Sequence, residues 1–232
     1  MIELRRAADR GHARHGWLNS HHSFSFAEYF DPRQMGWSVL RVINEDTVQP
    51  GQGFGTHGHR DMEIISYVLE GELEHRDSMG SGSVIRPGDV QVMSAGTGVR
   101  HSEYNHSMQT PVHFLQIWVI PSEAGLAPNY QQKYFDADGK RGRLQRIASP
   151  DGKDGSLVIK QDASVFAALL DGAEHVDHAL ESGRHAYVHV ARGAVTLNGQ
   201  RLSAGDGAKI AEETRLSFTE GEGAELLLFD LP

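Results

Sequence analysis

No stretch of this 232-residue chain sustains an apolar period of three to four residues; what recurs instead is a short β-branched or aromatic run closed by a glycine-bearing turn. That punctuation restricts the chain to an all-β sandwich or barrel. Strands are predicted over 37–44, 63–69, 71–75, 90–93, 113–120, 156–160, 187–191, 194–198 and 225–229. The run 166–170 fits either a strand or a helix, because a short apolar run carries no decisive period. Asn198-Gly199 predicts a tight hairpin turn, which needs positive φ at both central residues.

The pattern occurs twice. Tyr67 to Glu74 reads as strand, Gly71, strand, and Pro87-Gly88-Asp89 follows. Tyr187 to Leu197 reads the same way around Gly193, and Ala204-Gly205-Asp206 follows after a shorter loop. Two barrels of one design are expected, joined across the Gly-, Asp- and Lys-rich stretch 136–154.

Charge and composition remove several functions. With 22 Lys+Arg against 31 Asp+Glu the net charge is −9, which does not attract nucleic acid or an anionic membrane. No apolar run approaches the ~20 residues needed to span a bilayer. Met1 to Gly16 lacks the apolar core of a secretory signal, so a cytoplasmic protein is expected. The absence of cysteine excludes a disulfide scaffold, a thiolate metal site and a cysteine nucleophile. Neither GxxxxGK[ST] nor GxSxG occurs, so a phosphate-cradling loop and a serine hydrolase have no basis.

The chain does carry 14 histidines, and their spacing narrows the chemistry. In GQGFGTHGHRDMEIISYVLEG (Gly51 to Gly71), His57 and His59 stand at i, i+2 and share one face of an extended strand. If that strand continues regularly, Asp61 and Glu63 share the face too. His101 and Glu103 repeat the i, i+2 spacing. Two such strands inside a barrel give three imidazoles and one carboxylate, which leaves positions open on an octahedral ion for dioxygen or a substrate oxygen. Spacing alone does not choose between Glu63 and Glu103 as the carboxylate. His113 to Ile120 alternates, so Phe114, Gln116, Trp118 and Ile120 line one face, either core or pocket. Phe24, Phe26, Tyr29 and Phe30 are expected in the core or over a barrel mouth. His12, His15, His21, His22, His75, His106 and His113 are expected to be ordinary histidines.

These segments resemble the cupin superfamily. Gly51, His57, His59 and Glu63 match its first motif; Gly88, Gly96, His101 and Asn105 match its second. The departures are an extra residue between Glu63 and Gly71, Ser94 in place of the usual Pro, and two extra residues between Gly96 and His101. Together with HHSFSFAEYFDP (His21 to Pro32), THGHRDMEIISYVLEG and MSAGTGVRHSEYN, they make the chain similar to the pirin family, especially its bacterial quercetinase-like members. The similarity runs from about Leu4 to Leu231 and is strongest over 21–121.

The resemblance implies an all-β bicupin, two tandem double-stranded β-helix (jelly-roll) barrels. Residues 1–135 would form the metal-binding barrel and 136–232 a degenerate one without metal. There, Phe218 and Glu220 stand where ligands would be counted, while His175 and His178, or His185 and His189, lack the i, i+2 spacing. The resemblance assigns His57, His59, His101 and Glu103 as ligands and places Glu63 behind them, holding a ligand imidazole. It implies one divalent ion, expected to be Fe(II), with Ni, Mn, Co, Cu and Zn compatible. The activity implied is that of a quercetin 2,3-dioxygenase. Dioxygen opens a flavonol such as quercetin, releasing carbon monoxide and a depside, and Glu103 or Glu63 accepts the flavonol hydroxyl proton. A monomer without a direct nucleic-acid partner is expected. The alternative is a metal-containing regulator that docks a partner protein without turnover, as eukaryotic pirins do with transcription factors. The blandest reading is a cupin with an idle metal.

Overall fold

The structure, a computed structural model, describes residues 1–232. The chain falls into two compact units, one of Gly11–Tyr134 with Leu157–Gln161, the other of Met1–Arg10, Phe135–Ser156 and Asp162–Pro232. Both are built almost wholly of strands, and no helix is long and apolar enough to cross a membrane.

Strand β1 (Ile2–Arg5) opens the chain and belongs to the second unit. The first unit then runs through β2 (Gly11–Arg14), β3 (Leu18–His22), β4 (Leu40–Val48), β5 (Gly53–His59) and β6 (Glu63–Glu70). It continues with β7 (Leu73–Asp77), β8 (Gly82–Ile85), β9 (Asp89–Ser94), β10 (Val99–Asn105), β11 (Val112–Val119) and β12 (Asn129–Tyr134). A seven-stranded sheet has the order β12-β9-β6-β11-β4-β3-β2, and a four-stranded sheet the order β5-β10-β7-β8. Leu18, Val48, Val68, Val112 and Phe114 of the large sheet pack with Leu73 and Ile85 of the small one, so the two sheets close face to face on an apolar core. Each such side chain stabilises the fold by about 1.5–3 kcal/mol on burial.

One row of the large sheet breaks that apolar pattern. His22 stands opposite Asn44, Asn44 opposite Gln116, Gln116 opposite Ser66, and Ser66 opposite Gln91. Residues directly opposite one another share a sheet face, so these five form one transverse polar stripe, all buried. The row toward one end is Val42, Trp118, Ile64 and Met93; toward the other it is Ser20, Asp46, Phe114 and Val68.

The second unit holds α1 (Ala137–Lys140) and β13 (Gln145–Ser149); β14 (Leu157–Val158) belongs to the first. There follow β15 (Ser164–Gly172), β16 (Val176–Ala179), β17 (His185–Leu197), β18 (Gln200–Ser203), β19 (Gly207–Ala211) and β20 (Arg215–Leu231). Its sheet runs β1-β19-β17-β20-β15-β13, with β16 on β20 and β18 on β17. The long strands β17 and β20 bend through register shifts between Val190 and Thr196, and Gly193 sits at φ +64° where a Cβ would lie 2.3 Å from the Glu222 carbonyl oxygen. Asn198 and Gly199 have φ of 44° and 79°, as the predicted hairpin requires. The ambiguous run 166–170 is strand, held between β13 and β20.

Two expectations change. The main break falls at Tyr134/Phe135, beside the expected 135/136, but Met1–Arg10 belongs to the second unit: β1 pairs with β19 (Ile2 opposite Ile210, Leu4 opposite Ala208), and Ile2 and Leu4 pack on the second unit's core. Arg6 and the Ala7 N–H also bind Asp206, each at 2.8 Å. Conversely, Leu157–Gln161 joins the first unit through Val158 N–H to Gln131 (3.0 Å) and Lys160 N–H to Glu63 (3.2 Å). The predicted strand 156–160 is thereby cut to Leu157–Val158.

Candidate metal centre

The glycines of β5 set the site up. A Cβ on Gly53 would lie 2.2 Å from the Glu103 carbonyl oxygen and 2.5 Å from Tyr104 Cα, so only glycine lets β5 lie this close to β10. The resulting register puts His57 opposite His101 and His59 opposite Val99. His57 and His101 bring their Nε2 atoms to 3.1 Å, and the rings of His57, His59 and His101 lie 4.5–4.9 Å apart centre to centre. Bonds of ~2.1 Å to one ion would set neighbouring nitrogens ~3 Å apart.

The tautomers agree with that reading. His57 Nδ1–H donates to the Gly55 carbonyl at 2.8 Å, which leaves Nε2 with its lone pair. His75 Nε2–H donates to Asp77 Oδ2 (3.1 Å), so His75 Nδ1 accepts from His101 Nδ1–H (3.4 Å) and His101 Nε2 is also left free. Asp77 Oδ1 is fixed by the N–H groups of Met79 (2.9 Å) and Ser81 (3.0 Å). Burial opposes ionisation of Asp77, but the hydrogen bonds from His75, Ser81 and Met79 outweigh it and hold the carboxyl below its ordinary range. His75 itself is fully buried and stacks on Tyr130 at 4.8 Å. Burial, then the charge of the neighbouring imidazoles, lowers His59 to about 4 and His101 to about 3. Both rings are neutral donors at neutral pH, the form that binds a cation.

Glu103 is 2 % exposed and forms a second close cluster with His75 and His101. Its Oε1 accepts from Ser66 Oγ (3.2 Å) and its Oε2 from Gln116 Nε2 (2.8 Å), which ties it to the polar stripe of the opposite sheet. Two groups that could hold a metal ion therefore meet at His101, one of His57, His59 and His101 and one of His75, His101 and Glu103.

Glu63 stands elsewhere. Its Oε2 accepts from Ser94 Oγ (2.8 Å) and the Lys160 N–H (3.2 Å), and it holds no imidazole. The reason is local: β5 ends at His59, Asp61 turns at φ 48°, and β6 begins at Glu63, so the i, i+2 face of the histidines is not continued. Burial raises the Glu63 carboxyl, against the bonds from Ser94 and Lys160. Asp61 leaves the face as well and accepts from the Gly125 N–H. In the second unit, Phe218 is buried in the apolar core and His178 pairs with Asp230 at 2.7 Å.

A cavity of about 210 Å³ opens beside the histidines. Leu18, Phe26, Phe54 and Trp118 give it apolar surface, and His57, His59, Glu103, Asn44, Asp46 and Gln116 also line it. Of the aromatic cluster 24–30, Phe26 lines the cavity, Phe24 is core and Phe30 is 70 % exposed. Burial raises the Asp46 carboxyl to about 7; the Ser20 hydroxyl and His113 counter this, while Glu103 and Glu45 add to it. Sequence reasoning did not single out His75, Asp77, Asn44 or Asp46. His75 and Asp77 share a signal with the ligands, since they too stand at i, i+2 on a strand.

Comparison with known proteins gives concordant matches. The Pirin family model matches residues 3–119, and the model of the quercetinase C-terminal cupin domain matches residues 146–231. The chain is 50% identical over 233 residues to a quercetin 2,3-dioxygenase of Escherichia coli (strain K12), covering 100% of this chain and 99% of that one. It is 43% identical to a pirin-like protein of Caulobacter vibrioides, covering 99% of each. Among solved structures, the bacterial pirin YhhW of Escherichia coli in complex with nickel(II) superposes with a TM-score of 0.96 at 48% identity, covering 100% of this chain and 99% of that one.

Proposed function

This chain belongs to the pirin family, and we propose that it is a metal-dependent dioxygenase that opens the ring of a flavonol such as quercetin with O2. One observation carries the reading: the free Nε2 atoms of His57 and His101 converge beside His59 at an aromatic-lined cavity that also holds the Glu103 carboxylate. His57, His59, His101 and Glu103 would hold the ion, with iron(II) the first choice and nickel supported by the solved relative. A bound divalent ion supplies Lewis acidity that makes a substrate hydroxyl easier to ionise, and an open position for oxygen chemistry.

The chain's own residues supply the rest. Phe26, Phe54 and Trp118 present flat apolar surface to an aromatic ring and exclude water from it. Glu103 lines the cavity and receives the proton of the reacting hydroxyl; Glu63 is not part of its lining. Ser66 and Gln116 keep Glu103 in place as its charge changes.

Loss of flavonol absorbance by protein loaded with Fe, Ni, Mn, Co or Cu, in air and under argon, tests the proposal. Consumption that requires both metal and air, and that disappears in His57→Ala, is expected. No consumption with any of the five metals would refute it.

A further inference from the structure

The polar lining of the cavity is not explained by holding a metal. Gln116 Nε2 donates to Glu103 Oε2 at 2.8 Å, and because a carboxylate only accepts, the amide orientation is fixed. The Gln116 Oε1 is then a buried acceptor, and it has no partner. Asn44, directly opposite on β4, also has a buried Oδ1 without a partner. Asp46, two residues along the same strand face and 3 % exposed, takes the Ser20 hydroxyl but leaves its Oδ1 unserved. A buried acceptor left without a donor destabilises the folded chain, because it has given up its hydrogen bond to water. Three of them on neighbouring positions of one sheet face, lining a cavity, call for something that enters the cavity and brings donors.

The missing donors define the ligand. It must carry O–H groups to serve the oxygens of Asn44 and Gln116, and oxygens that can accept from Trp118 Nε1–H, a buried donor on the same cavity that also has no partner. It must be flat and largely apolar, because Phe26, Phe54 and Trp118 line the same cavity. It cannot be a carboxylate or phosphate at this side, since the Glu103 carboxylate would repel it. We propose that Asn44, Asp46 and Gln116 form a hydroxyl-selecting wall that binds phenolic hydroxyls other than the one that reacts, and so makes the site specific for polyhydroxylated aromatics. The inference rests on the flavonol reading above and adds to it the residues that discriminate among flavonols.

Anaerobic calorimetric titration of the metal-loaded protein tests this with two ligands. 3-Hydroxyflavone carries the reacting hydroxyl alone. Kaempferol carries three further hydroxyls, none adjacent to another, so it has no catechol that could chelate the ion. The wild type should bind kaempferol about tenfold more tightly, as serving buried acceptors that are otherwise left without donors allows. In Asp46→Leu, which keeps the branched four-atom shape of the side chain while removing its acceptors, the two affinities should converge to within about threefold. Asn44→Leu should narrow the ratio in the same direction and serves if Asp46→Leu fails to fold. Equal affinity for both ligands in the wild type, or an undiminished ratio in a folded variant, overturns the wall and leaves the dioxygenase reading intact. Binding of neither ligand overturns both.

Discussion

At the scale of single residues, the candidate site depends as much on what lies behind the histidines as on the histidines themselves. His101 is aimed by His75, and His75 by Asp77, through two hydrogen bonds inside the protein. Outer partners of this kind fix the ring orientation and basicity of a ligand, and losing one typically costs 10–100-fold in metal affinity. Asp77→Asn and His75→Phe should therefore weaken metal binding by about that factor in a chelator competition, with the circular dichroism spectrum unchanged. Asp46 gives a different test. Its folded-state carboxyl is raised to about 7 from an ordinary value of 3.8, so between those two pH values the folded chain holds a proton that the unfolded chain has lost. The stability tied to that proton is fully present below about pH 4 and is lost as pH rises through 7. The melting temperature of Asp46→Asn relative to wild type should climb by several degrees across this window and stay level above it; a flat difference would contradict the burial argument. His57, His59 and His101 were legible because i, i+2 spacing on a strand is a local signal. His75 and Asp77 carry the same local spacing, but the nearness of His75 to His101 arises from the pairing of β7 with β10, which no local pattern states.

At the scale of elements, the centre is a matter of register. His57 meets His101 because β5 lies tight against β10, and Gly53 is what permits the approach. Gly53→Ala should destabilise the protein by about 1–3 kcal/mol, as overpacking does, and should also lower metal content by parting the two strands. Purified variant with full metal content and wild-type stability would show that the close approach is dispensable. The strands themselves were largely readable from β-branched runs and glycine turns, and the two halves share Gly71 with Gly193, and Gly88 with Gly205, all four at positive φ. The shared face of Glu63 was conditional on a strand that runs on regularly past His59, and the turn at Asp61 resets the alternation. The polar stripe from His22 to Gln91 was likewise hidden, since each member sits on a different strand.

At the scale of the whole molecule, the chain places its metal-ligating clusters in one unit, the other having an apolar core at the position of Phe218. The account predicts one ion per chain by elemental analysis, abolished in His57→Ala and unaffected in His178→Ala. The first strand contributes to the other unit: removing Met1–Arg10 strips the edge of β19 and leaves Asp206 without Arg6 and Ala7. That deletion should cost on the order of 3 kcal/mol of stability while metal content stays at one. Such a pairing of the first residues with Gly207–Ala211 was out of reach of the sequence, because its partners are about as far apart along the chain as two segments can be. The fold class was readable, since two repeats of one strand pattern suffice for it; the path of the chain between units was not. The claim on which everything else rests is that this cavity performs dioxygen insertion into a flavonol. Turnover of quercetin by the metal-loaded protein under 18O2, followed by mass spectrometry, tests it most directly: the account predicts two labelled oxygen atoms in the ring-opened product, and a product without label would contradict it.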